Sequence, residues 1–318
     1  MIDVVALGEL LIDFTQIPSD NVDTRCFQQN PGGAPANVLA VLAKYGVKCA
    51  FIGKVGKDMF GEFLRDQLQA MSIDCRSLIM DSEHNTTLAF VALDDKGDRS
   101  FNFYRNHGAD TCLLPEEINL EIINQCKIFH FGTLSMTHEP SLSATVKALE
   151  YAKTCGKLIS FDPNYRALLW KDEDSAIKAM KYGLSYSDMA KLSIEEAQMV
   201  TGETEPENFL KELFKYGLSF VAITMGPRGC IYATKEFMGS YPEFPAHVVD
   251  TTGAGDTFWG TFLAKFLENG ETFEEVSVEK ISNMVLMANI AAGMSTEKKG
   301  SIPSIPDLDK VIEAFDKL

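Results

Sequence analysis

Basic residues are in short supply in this chain: 29 Lys and Arg stand against 45 Asp and Glu, leaving a net charge of −16. General nucleic-acid binding, which depends on a basic footprint along the phosphate backbone, is excluded. Long apolar runs are missing too. No stretch reaches the roughly 18 apolar residues that a membrane span needs, so no membrane partner is expected. The seven cysteines (Cys26, Cys49, Cys75, Cys112, Cys126, Cys155, Cys230) are scattered, odd in number and never spaced Cys-x-x-Cys. That is the pattern of reduced, buried thiols. The opening Met1-Ile-Asp-Val-Val carries acid where a signal peptide needs base and reads as a first strand, so a cytoplasmic protein is expected. The five histidines show no helical pairing, which argues against a His-based metal site. There is no Gly-x4-Gly-Lys-[Ser/Thr], no Gly-x-Gly-x-x-Gly and no His-Glu-x-x-His, which sets aside a P-loop, a dinucleotide site of the Rossmann type and a zincin.

What is present is an alternation of short apolar runs with amphipathic segments. Asp3–Gly8, Ala50–Val55, Ile128–Gly132, Leu158–Phe161, Met189–Leu192, Phe220–Thr224 and Cys230–Ala233 read as strands. Between and after them, Pro35–Tyr45, Asp58–Met71, Ser141–Thr154, Ser175–Tyr186, Ile194–Thr201, Glu207–Tyr216, Ala254–Glu268, Val278–Met294 and Asp307–Phe315 read as helices. The pattern predicts an α/β fold: a three-layer, doubly wound architecture with a mostly parallel central sheet, in a single domain over residues 1–318. One region breaks the rhythm. Thr86–Leu93 and Ser100–Arg105 are strand-like and joined by Asp94-Asp-Lys-Gly-Asp98, a hairpin turn in which Phe101 and Phe103 share a face. With the non-helical Phe14–Asn30, this makes a small β lid over about 14–30 and 86–107. A two-stranded hairpin is marginal alone, so the lid should pair with Phe14–Asn30, with a second subunit, or with both.

The most informative stretch is Asp250-Thr-Thr-Gly-Ala-Gly-Asp256-Thr-Phe-Trp-Gly260. Gly253 and Gly255 around Ala254 allow a sharp turn into an apolar helix, so several unbonded amides converge at a positive helix end and form an anion site. Asp256 sits inside it, either as a plain helix cap or as an acid that orients a hydroxyl for phosphoryl transfer. The nearby amides lead us to expect a lowered carboxyl pKa. A second stretch, Asn30-Pro-Gly-Gly-Ala-Pro-Ala-Asn37, is a glycine loop entering a helix. There Gly32 and Gly33 admit a ligand close to the backbone, and Asn37 offers a donor and an acceptor suited to a sugar.

These two segments, in this order and about 220 residues apart, resemble the two signatures of the ribokinase-like (PfkB type) sugar kinases. The resemblance covers nearly the whole chain and implies an ATP-dependent sugar kinase with Mg²⁺ and possibly K⁺, the lid doubling as a homodimer contact. It implies Asp256 as catalytic base and Gly253, Ala254 and Gly255 as the hole for the γ-phosphate. Asp13, Gly32, Gly33, Asn37 and Phe103 would contact the sugar. Lys191, Thr224, Gly226, Gly229, Asn289 and Glu196 would serve the nucleotide. Glu196, in Ser193-Ile-Glu-Glu196, aligns with an Asn-x-x-Glu element that influences Mg²⁺, Ser193 standing where Asn is usual; a solvated helix acid is the alternative. Asp250, Thr252, Ser295, Lys298, Gly300 and Ser304 match positions around an activating K⁺. Phe101-x-Phe-Tyr-Arg105, Phe161-Asp-Pro-Asn-Tyr-Arg166 and Lys298-Lys-Gly-Ser-Ile-Pro303 look like fructokinase segments. Arg105 could bond sugar hydroxyls or pair with Asp110; Arg166 could serve the phosphate end or a turn. The expected reaction is transfer of the γ-phosphate to the C6 hydroxyl of D-fructose. The alternatives are 2-keto-3-deoxygluconate as acceptor, or a sugar- or nucleotide-binding sensor that has lost turnover.

Overall fold

The computed structural model describes residues 2–17, 24–93 and 99–318. The first half runs β1 (Val4–Leu7), β2 (Leu11–Ile17), β3 (Cys26–Gly32), α1 (Ala34–Lys44), β4 (Cys49–Gly56), α2 (Met59–Ala70), β5 (Asp74–Asp81), β6 (Leu88–Leu93), β7 (Arg99–Tyr104), α3 (Leu120–Asn124), β8 (Ile128–Phe131), α4 (Ser141–Thr154) and β9 (Leu158–Phe161). The second runs α5 (Glu173–Tyr186), β10 (Met189–Ser193), α6 (Ile194–Thr201), α7 (Pro206–Phe214), β11 (Phe220–Thr224), β12 (Cys230–Thr234), β13 (Met238–Tyr241), α8 (Ala254–Asn269), α9 (Val278–Ser295), α10 (Ser301–Ser304) and α11 (Leu308–Phe315).

Nine strands form the main sheet in the order β13-β12-β11-β10-β9-β8-β1-β4-β5. β5 through β11 in that row pair in parallel, and β12 and β13 close one edge antiparallel. Alternation along β1 shows why both faces are covered. Val5 and Leu7 enter a core shared with α4, α5, α6 and α7, while Val4 and Ala6 enter one shared with α1, α2, α8 and α9. From β1 the chain winds outward one way to β4 and β5, and the other way to β8 through β11. The carboxyl ends of β1 and β8 therefore flank a topological switch point, where open α/β sheets hold ligands. The expected three-layer architecture is the observed one.

The second sheet has the order β3-β2-β6-β7. β6 and β7 form the expected antiparallel pair, and β6 joins β2 in parallel, so the flap pairs with the segment read as Phe14–Asn30. The Asp94–Asp98 turn lies outside the described residues, as does the side chain of Phe101. Asp13, Ala89 and Phe103 are in register across β2, β6 and β7, so they share one face. The other face is aromatic: Phe14 stacks on Phe90 at 4.9 Å, and Phe27 and Tyr104 meet Phe90 edge-on, each at 5.4 Å. Asp58 ties the lid to the body, accepting from the Thr86 amide and hydroxyl (both 2.8 Å) while capping α2 through the Phe60 and Gly61 amides.

Candidate active site

The chain enters α8 through a turn zipped to the segment after α9. The amides of Val249 and Asp250 donate to the Thr296 carbonyl, and the Asp250 carboxylate accepts from the amides of Thr252 (2.7 Å) and Gly300 (3.0 Å). Gly253 stands at the N-cap with φ 79°, and no side chain caps the helix. Among the described residues, nothing accepts from the amides of Gly255 or Asp256, whereas the Ala254 amide is engaged with the Thr251 carbonyl at 3.3 Å. Of the three amides that the glycine pattern implied, only that of Ala254 is therefore engaged.

Asp256 does not cap its own helix. It is buried, and side chains from two other elements hold its oxygens: Asn37 donates to Oδ2 at 2.8 Å from α1, and Asn164 donates to Oδ1 at 3.2 Å from the loop after β9. Its pKa is raised to about 6, first by burial and then by the neighbouring Asp162, against the pull of Lys191. The expected lowering is thus overturned: desolvation of the carboxylate outweighs the nearby amides.

Behind Asp256 lies a buried charge cluster. Lys191, near the end of β10, pairs with Asp162 at 2.9 Å. A Cβ added at Gly255 would lie 2.9 Å from Lys191 Nζ, so the ammonium sits directly under the first turn of α8 and would have to shift for any side chain there. Glu196 is buried as well, which overturns the solvated-acid alternative. Its oxygens accept from the Tyr165 and Ser193 amides, both at 2.7 Å, and Ser193 bonds back to the Glu196 amide in a capping box. Burial, then Asp162, raises its pKa.

A cleft of about 640 Å³ runs from this cluster to the lid, and Asp13, Gly33, Asn37, Phe103, Arg166, Lys191, Glu196, Gly253, Gly255 and Asp256 all line it. Gly33 has φ 112°, and a Cβ there would collide with the Glu9 carbonyl, so this turn requires glycine. Gly32 lies outside the lining and packs against the Asp13 carboxylate. Asn37 Oδ1 is buried and has no partner among the described residues, an acceptor suited to a ligand hydroxyl. Burial raises both Glu9 and Asp13 to about 7. Arg166 is exposed and donates to the Tyr165 carbonyl. Arg105 takes the ion-pair alternative. It is buried, pairs with Asp110 at 2.7 Å, and donates to Thr137 Oγ1 and the Leu134 carbonyl, both at 2.8 Å.

Thr252 also lines the cleft, and the other predicted residues do not. Thr224 ends β11 in register with Ser193, and Gly226 and Gly229 form the turn that follows. Asn289 on α9 donates to the Pro242 carbonyl at 2.7 Å and anchors the chain that leads to α8. Ser295 and Ser304 bond locally to the carbonyls of Ala292 and Ser301, Gly300 meets Asp250, and the Lys298 side chain is exposed. Among the described residues, no three His, Cys, Asp or Glu side chains gather as a metal cage. Sequence reasoning missed Glu9, Asp162 and Asn164. Each follows the carboxyl end of a buried strand near the switch point, and that position was the available signal.

The sequence profile for pfkB family carbohydrate kinases matches residues 1–308. A protein named probable fructokinase-2 of Arabidopsis thaliana is 39% identical over 308 residues, covering 95% of this chain and 92% of its own. The crystal structure of a fructokinase with bound ATP from Xylella fastidiosa superposes with a TM-score of 0.91 at 29% identity, covering 99% of this chain and 98% of that one. A double-mutant fructokinase from Vibrio cholerae O395, bound to fructose, ADP and potassium ion, superposes with a TM-score of 0.87 at 28% identity, over 98% of each chain.

Proposed function

The chain belongs to the pfkB family of carbohydrate kinases, and from that premise we propose that it transfers the γ-phosphate of ATP to the C6 hydroxyl of D-fructose, giving fructose 6-phosphate and ADP. The carrying observation is the placement of Asp256: both oxygens held by Asn37 and Asn164, at the foot of a helix whose first free amides face the same cleft. The names of the similar proteins supply the choice of sugar. Asp256 accepts a hydrogen bond from the acceptor hydroxyl and aligns it; a loose transition state needs little proton removal beforehand. The turn through Gly253, Ala254 and Gly255 presents the amides of Gly255 and Asp256 to the migrating phosphoryl group, and Lys191 supplies a cation beneath it. Asp13, Gly33, Asn37 and Phe103 hold the sugar, Gly32 keeps their turn tight, and Arg105 fixes the lid base through Asp110. Thr224, Gly226, Gly229 and Asn289 shape the nucleotide end.

Three buried carboxylates (Asp162, Glu196, Asp256) against one buried ammonium leave the phosphate end with an excess of negative charge. A Mg²⁺ ion bound with the triphosphate would fit that excess, with Glu196 as the acid to hold it in place, and would supply charge neutralisation. The zipped segments at Asp250–Thr252 and Ser295–Ser304, with Lys298 and Gly300 between them, offer carbonyls for K⁺. The chain works as one domain in the cytoplasm, and its small sheet acts as a closing lid that excludes water and pairs with a second copy.

Arg166 favours a second reading. An exposed cation lining the cleft, which donates to a carbonyl, suits an ionised acceptor such as 2-keto-3-deoxygluconate. Coupled ADP release tested with fructose, ribose, adenosine, fructose 1-phosphate and 2-keto-3-deoxygluconate separates the readings. Fructose should give the highest kcat/KM. Preference for the keto-acid reverses the assignment, and binding without turnover of any acceptor leaves a sensor.

A further inference from the structure

Among the described residues, one carboxylate bonds directly to the ammonium beneath α8. Asp162 follows the last residue of β9 and is buried. Its Oδ2 meets Lys191 Nζ at 2.9 Å, and its Oδ1 accepts from the Asn164 amide at 3.2 Å. Asn164 takes a left-handed conformation, φ 50°, that few non-glycine residues adopt, and in it the side-chain amide reaches Asp256 Oδ1. The strand bearing Asp162 is itself pinned. Two residues back, on the same face, Ser160 Oγ accepts from Trp259 Nε1 at 2.8 Å and meets His130 Nδ1 at 3.0 Å. Trp259 lies one turn beyond Asp256, so one short bond fixes the spacing between β9 and α8.

A long, flexible lysine side chain gains most from such a partner. Lys191 has four rotatable methylenes and a buried charge, and the pair with Asp162 both offsets the charge and selects the rotamer under Gly255. We propose that Asp162 is a positioning residue: it aims Lys191 at the phosphate path and sets the turn that brings Asn164 onto Asp256. It acts through these neighbours and contacts neither substrate. This inference rests on the kinase reading above.

The test is a double-mutant cycle of Asp162→Asn, Lys191→Met and the double variant. ADP release with fructose and ATP affinity by calorimetry are measured on each. Asn at 162 can still accept from the Asn164 amide but cannot hold the ammonium. Asp162→Asn should lower kcat about 100-fold, the scale of a misplaced group, with the fructose KM nearly constant. The double variant should be no slower than Lys191→Met alone and should bind ATP equally, because Asp162→Asn keeps the bond to the Asn164 amide and the lost charge has no route once Lys191 is gone. It should also fold at least as well as Asp162→Asn, since removing a buried pair is tolerated better than breaking it. Losses that multiply in the double variant would show Asp162 acting independently and overturn the proposal. So would an Asp162→Asn protein with a lower Tm but unchanged kcat and ATP affinity, the mark of a merely structural role. A wild-type protein inactive on every sugar would defeat the kinase reading instead, and the cycle would then be read from ATP affinity alone.

Discussion

A proton acceptor in a desolvated pocket must be ionised to work, and burial opposes ionisation. Asp256 stands at about 6 for that reason, and Asp162 adds to the effect. The sign follows directly: below pH 6 the carboxyl of the free protein is mostly protonated and cannot accept from the sugar hydroxyl, so kcat/KM should fall as pH drops through that value. A profile flat from pH 5 to 8 would detach the step from Asp256. Asp256→Asn should lower kcat at least about 100-fold while leaving ATP binding nearly intact, as titration calorimetry would show. Gly255→Val tests the other half of the site. Even its Cβ would lie 2.9 Å from Lys191 Nζ, so the side chain displaces the ammonium and crowds the phosphate. ATP affinity and rate should both drop, and unchanged values would place the triphosphate elsewhere. Asp256, Asn37 and the glycines were legible in the sequence because their spacing is the signal. Glu9, Asp162 and Asn164 were not, because their chemistry comes from burial and from partners distant in the chain. Asp256 shows the same limit: its position was readable, but the direction of its pKa shift needed the desolvation that only the fold reveals.

Elements carry these residues, and the contact between α1 and α8 sets their separation. Asn37 rides on the first turn of α1 and Asp256 on the first turn of α8, one hydrogen bond apart. One turn further along α8, Gly260 lets the helices approach: a Cβ there would lie 2.7 Å from Val41 Cβ and 3.0 Å from the Val38 carbonyl. Gly260→Val should therefore cost about 1–3 kcal/mol of stability by overpacking, and should also slow turnover by prising Asn37 from Asp256. Adding Val41→Ala should recover part of both, read as Tm and kcat. If Tm falls while kcat holds, helix spacing does not control the site. Apolar periodicity marked the long helices well; Ser141–Thr154 and Ile194–Thr201 fall where the pattern put them. It missed β5 and β13, which are edge strands. β5 begins and ends in Asp and carries Arg76 and Ser77, and β13 is short and partly exposed. One flank of an edge strand meets solvent or loop, so its sequence lacks the uninterrupted apolar run that betrays a central strand.

At the scale of the whole molecule, the lid presents two unlike faces. Asp13 and Phe103 look into the cleft. The opposite face gathers Phe14, Phe27, Leu88 and Phe90, all only half-buried, and Tyr104, which is 66% exposed. Phe60 of α2 covers one end, meeting Phe14 edge-on at 5.7 Å. The rest is an apolar surface of the kind that monomers seldom leave open. A second copy of the lid would cover it and stiffen the strand that holds Asp13. Two consequences are measurable together. Sedimentation velocity should give a dimer, and Tyr104→Lys, which puts a charge into that face, should yield a monomer. The Tyr104 side chain lies outside the cleft lining, so the body of the protein should keep its Tm and its ATP affinity. The fructose KM should rise several-fold, because a loose lid holds Asp13 and Phe103 less well. A monomeric variant with an unchanged fructose KM would mean that pairing contributes nothing to the sugar site, and a wild-type monomer would leave the aromatic face to another occupant.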